Sequence, residues 1–188
     1  MSRITCFWLE PVDQARRSLR RYRGHDAGGA ACPFSPSYHN ASVIVSDSEP
    51  WGESPWVGRG DRPTEEERSD PRGPARCACG YEFQPDDEWQ VNHDRLYRRS
   101  DTGDLVTTRD APAGAMWDAT WWPTDRGPDD RCLVVKTPGG DWMPDCPSKD
   151  GAPWTRTGEV PKVTARPSIL FPSNGYHAFL TNGVLKDC

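Results

Sequence analysis

The tetrad Cys77-Ala78-Cys79-Gly80 constrains this chain more than any other stretch of it. Two thiols one residue apart point to opposite faces of a regular strand. They can serve one metal ion only if the backbone bends between them, and Gly80 is the residue best able to permit that bend. Zinc takes four ligands in a tetrahedron, drawn mainly from cysteine thiolate and histidine nitrogen. The common pair of Cys-x-x-Cys knuckles is absent, so the remaining ligands must come from distant pieces of the chain. His177 is the first choice, because it heads a run of β-formers. Cys132, at the start of another such run, is the fourth, with His93 behind it. The expected centre is therefore a Zn2+ ion on Cys77, Cys79, Cys132 and His177, pinning a small β-rich fold. Cys32, His39 and His25 offer a second cluster, but their Gly/Ala/Pro-rich surroundings read as loop. Cys6, Cys32, Cys146 and Cys188 read as small buried hydrophobes.

A β-rich fold of this kind must be compact and loop-rich. The chain has 188 residues, 35% of them hydrophobic, with 17 glycines and 19 prolines. Nine tryptophans compensate in part, since each buries a large apolar area. Trp117, Trp121, Trp122 and Trp142 read first as core and second as an aromatic platform for a sugar ring or a peptide. The formal charge of −5 argues against a simple nucleic-acid binder. No run approaches the roughly 20 apolar residues that span a bilayer, and Met1–Glu10 lacks the pattern of a secretion signal. Seven cysteines fit a fully paired secreted framework poorly. A reducing cytoplasm is the expected setting. Arginine outnumbers lysine 19 to 4, as in a GC-rich coding genome such as that of an actinobacterium or its phage.

Three segments follow. Residues 1–45 are expected to form an N-terminal extension: a strand over Ile4–Leu9, then an amphipathic helix. Pro11 suits a first helical turn, and Val12, Ala15, Leu19 and Tyr22 fall at helical spacing with arginines mainly opposite. Residues 46–75 are charged, proline-rich and poor in aliphatics, the composition of a flexible acidic linker. Residues 76–188 are expected to form the metal-binding core, mainly β. Within it, Glu88–Val91 and Arg95–Arg98 read as short paired strands around Asn92-His93-Asp94. Leu105–Thr108 adds another, and Asp110–Met116 a helical turn. Cys132–Lys136 turns through Pro138-Gly139-Gly140 into Asp141–Met143. Asn182-Gly183, between Tyr176–Leu180 and Val184-Leu185, is among the best short hairpin signals.

Cys-x-Cys-Gly, the later Pro167-Ser168-Ile169 and the terminal His177-x-Phe179-Leu180-x-Asn182-Gly183-Val184 together resemble the small metal-binding family known as domain of unknown function 6527. The resemblance covers about Arg76 to Leu185. It implies metal ligation by Cys77, Cys79 and His177. Some members accompany bacterial ubiquitin-like conjugation genes. Others are actinobacteriophage proteins with an N-terminal segment like Ile4–Tyr22. Where shorter members tend to place a cysteine three residues before the histidine, this chain has Asn174. The fourth ligand then moves to Cys132, or the site stays open to water.

Catalytic readings are weaker. Cys77 as nucleophile with His177 as base and Asp141 as orienter would make a hydrolase-like triad, but paired thiols argue for metal. An open zinc could activate water, yet the chain has neither His-Glu-x-x-His nor a deaminase-type His-x-Glu. The expected function is that of a zinc-binding phage accessory or structural protein. It would act through a protein partner, without nucleic acid or membrane, in the host cytoplasm or the virion. A zinc-dependent hydrolase of peptide or isopeptide bonds is the alternative.

Overall fold

The computed structural model describes residues 2–22, 32, 38–48, 76–82, 89–122, 124–148, 151 and 153–188. Among them there are strands and turns and no helix, so the fold is mainly β. They form two compact units, Met1–Pro11 with Tyr97–Cys188, and Val12–Leu96. Most of the expected linker, 49–75, lies outside the described residues.

The first unit holds a five-stranded antiparallel sheet. Its strands are β1 (Arg3–Thr5), β9 (Thr155–Thr157), β10 (Thr164–Phe171), β11 (Tyr176–Thr181) and β12 (Val184–Asp187), in the order β1-β12-β11-β10-β9. Asn182 and Gly183, with φ of 47° and 70°, make the tight turn between β11 and β12. Positive φ at both central residues is the type I′ geometry that matches strand twist. The turn is also anchored. The Gly183 amide donates to the Val163 carbonyl at 2.8 Å, and the Gly183 carbonyl accepts from Cys6 at 2.8 Å. Along β11 the alternation is clean, with Ala178 and Leu180 buried and His177, Phe179 and Thr181 exposed. Ala178, Leu180, Leu185, Ile169, Ala165 and Val163 share a core with Met116, Leu133, Val135 and Trp142. Each large aliphatic buried there contributes about 1.5–3 kcal/mol relative to exposure.

That unit also contains β5 (Leu105–Val106), β6 (Ala115–Asp118), β7 (Leu133–Thr137) and β8 (Gly140–Trp142), along with the beginning of β2 (Phe7–Tyr22) and the end of β4 (Trp89–Arg99). β6 runs parallel to β2 at Phe7 and Trp8 and antiparallel to β7, which pairs in turn with β8. Trp8 and Ser100 exchange two hydrogen bonds of 2.9 Å, which set β2 beside the end of β4. Phe7, Leu9, Tyr97, Trp117, Cys132 and Val134 pack into a second core. Arg156 of β9 is buried and ion-paired to two carboxylates, Asp129 and Asp145.

The second unit is built on β2 paired with β3 (Tyr38–Val45), in register from Ala15↔Val45 to Tyr22↔Tyr38. The rest of β4 belongs to it. Near its end Asp47 accepts from Arg95 at 2.7 Å and meets His93 at 3.1 Å. Desolvation pushes the Asp47 carboxyl up, but the Arg95 and His93 bonds outweigh it and hold it below its usual range.

Four sequence expectations are corrected here. The segment from Pro11 to Tyr22 is strand, with no helix. Its apolar positions do fall at helical spacing, but β3 supplies an eight-residue ladder that overrides a weak local preference. Pro11 is tolerated because it falls between the β6 pairing at Phe7–Trp8 and the β3 pairing that begins at Ala15. Glu88–Val91 and Arg95–Arg98 are not hairpin partners, since β4 runs unbroken through Asn92-His93-Asp94. Pro112 to Gly114 make a turn that leads directly into β6, in place of the expected helical turn. The single N-terminal strand is interrupted at Cys6, giving β1 and β2.

Candidate metal centre

Two local pieces shape the centre within the second unit. The first is the loop 76–82. Arg76 and Glu82 close its base as an antiparallel bridge, the Gly80 amide donates to the Cys77 carbonyl at 2.8 Å, and the Cys77 amide donates to the Tyr81 carbonyl at 2.9 Å. Gly80 has φ of +90°, a conformation glycine reaches without steric cost. The turn through Ala78 and Cys79, which Gly80 closes, is the bend between the thiols that a strand would have denied. The second piece is the start of β3, which buries His39 to 4% exposure. Tyr81 stacks flat on the imidazole, with ring centroids 4.1 Å apart and planes 12° from parallel, and so fixes its orientation.

Cys32, His39, Cys77 and Cys79 come together here, each offering one ligand atom, all within 4.8 Å of one another. Cys32 Sγ lies 3.8 Å from Cys77 Sγ, and His39 Nδ1 lies 3.2 Å from Cys79 Sγ. The cysteines are free thiols, and 3.8 Å is far beyond the roughly 2.04 Å of a disulfide. It does match the edge of a zinc tetrahedron, since bonds of about 2.3 Å put two sulfurs about 3.8 Å apart. The Tyr81 amide favours a Cys79 thiolate, but desolvation and the Cys77 and Cys32 sulfurs outweigh it and raise the thiol above its ordinary range. A cation among the sulfurs would invert that balance. The cluster can therefore hold a metal ion, and its three sulfurs and one nitrogen are a zinc-like donor set.

Of the expected ligands, Cys77 and Cys79 enter this group. Cys132 and His177 belong to the other unit, where each has its own partners. Cys132 is buried at the start of β7, its sulfur 4.0 Å from Cys146, and desolvation pushes its thiol up to about 12. His177 is exposed on β11 and shares a 3.0 Å hydrogen bond with Ser168. His93 is engaged with Asp47. Asn174 closes a turn, donating to the Gly139 carbonyl at 2.9 Å and accepting from the Tyr176 amide at 3.1 Å. The places expected for Cys132 and His177 are taken by Cys32 and His39. The signal that could have found them was the β-forming run after His39, Ser42-Val43-Ile44-Val45, which makes His39 a strand residue. His25 lies outside the described residues. Among the four tryptophans, Trp117 and Trp142 are core while Trp121 and Trp122 are exposed.

No family model matches this chain, and neither curated proteins nor solved structures give a significant match.

Proposed function

We propose that Cys32, His39, Cys77 and Cys79 bind one structural zinc ion, and that the protein is a phage accessory or structural protein working through contacts with a protein partner. The observation that carries this reading is the convergence of four Cys/His ligand atoms within 4.8 Å. Three thiolates and one imidazole complete a tetrahedral shell, which is the closed arrangement of structural sites; catalytic sites keep a position for water. That favours a scaffold over the hydrolase. The phage setting rests on the likeness of the Cys-x-Cys-Gly and terminal His-x-Phe motifs to domain of unknown function 6527.

Metal analysis of the purified chain tests the site. About one zinc per chain is expected. Cys32→Ser and His39→Ala should each lower zinc content and melting temperature together, because binding energy of a structural metal is also folding energy. Cys132→Ser and His177→Ala should leave zinc in place. Zinc content that follows Cys132 and His177, and ignores Cys32 and His39, would overturn the assignment.

A further inference from the structure

The outward face of the five-stranded sheet is chemically unlike the chain as a whole. The pairings Arg3↔Lys186 and Phe179↔Lys186 place two cations and an aromatic ring side by side across β1, β12 and β11. Leu170 stands opposite His177 on the neighbouring strand, and Arg166 opposite Thr155 lies further along it. Phe179 is 49% exposed and Leu170 57%, although hydrophobic side chains on a sheet normally turn inward. The His177 and Phe179 rings lie 6.3 Å apart on the central strand. No outward-facing position of these five strands is a carboxylate, since Asp187 pairs with the inward Ala178. Arg3, Arg166 and Lys186 form no ion pair with any described residue. The net charge of −5 is thus carried elsewhere.

The geometry points to this face as a docking surface for a single-stranded nucleic acid. Bases would stack on Phe179 and His177, and phosphates would lie against Lys186, Arg3 and Arg166. A sheet face with adjacent exposed rings on its central strand offers stacking that tolerates any base. The flanking cations supply the salt-sensitive attraction to a backbone. An acidic peptide would satisfy the cations, but its carboxylate side chains would not stack on the rings as bases do. Stacking on the rings and contact with the phosphates do not read the 2′-hydroxyl, so DNA and RNA strands should bind comparably.

Fluorescence anisotropy of a labelled oligothymidylate, titrated with the full chain at low salt, tests this. Binding should weaken with added salt, with a log–log slope of about 2 for three contacts. Phe179→Ala should weaken it about tenfold or more, and Arg3→Gln with Lys186→Gln should flatten the slope by about 1.4. Arg98→Gln, exposed on β4, should leave affinity unchanged. All four side chains are exposed, so unchanged melting curves are expected to accompany these effects. Absence of binding, binding indifferent to Phe179→Ala, a strict preference for RNA, or equal competition by polyglutamate would each overturn the proposal.

Discussion

Arg156 shows what a single buried cation demands of its surroundings. Its Nε donates to Asp145 Oδ1 at 2.8 Å, and its terminal nitrogens donate to Asp129 at 2.5 and 3.1 Å. Asp145 also accepts from the Leu133 amide at 2.9 Å, so the ion group ties β9 to the start of β7. A Cβ on Gly127 would collide with the guanidinium, so that position must stay small. Removing one partner leaves an uncompensated buried charge, and Arg156→Gln should cost about 3–5 kcal/mol by urea denaturation. Desolvation pushes the carboxyl of Asp129 up, but the Arg156 hydrogen bond and charge, together with the Arg131 hydrogen bonds, outweigh it and hold it below its ordinary range. Because its folded pKa is depressed, its contribution is complete above the unfolded value of about 3.9 and is lost as pH falls through the folded one. The urea midpoint should therefore begin to fall below about pH 4 through this group. In Arg156→Gln that portion of the acid loss should shrink.

At the scale of elements, the β11–β12 hairpin makes the sharpest demand. Gly183 has φ of +70°, and a Cβ there would lie 2.5 Å from the Pro161 carbonyl oxygen. Gly183→Ala combines left-handed backbone strain with an overpacked contact, and a loss of about 2–4 kcal/mol in thermal or urea unfolding is expected. Asn182→Gly, which relieves the φ of 47° at position 182 itself, should be nearly neutral. The pair Asn182-Gly183 was legible in the sequence because a two-residue I′ turn is specified by its own two residues. The β7–β8 hairpin was legible for a similar reason. The strand nature of 11–22 was not, because it depends on β3, and no residue within 11–22 announces that partner.

At the scale of the whole molecule, the two units should respond separately to loss of metal. Strong chelation should raise amide hydrogen exchange through 38–45 and 76–82, where folding energy and metal affinity are shared. Amides of β6–β7 and β10–β12 should keep their protection. Equal loss of protection in both units would show that the cluster is not a local staple. The sequence by itself determined the mainly β class, the tight hairpin at Asn182-Gly183 and the pairing of Cys77 with Cys79 as candidate ligands. Each is written in neighbouring residues, through turn chemistry, β-forming runs and the spacing of two thiols. The tertiary structure decided that Cys32 and His39 join those thiols, and that Cys132 and His177 lie in the other unit. It also decided which tryptophans are core. A ligand shell closes within a few ångströms in space, whatever the separation along the chain. Its membership follows from strand pairing and loop course, which adjacent residues do not encode.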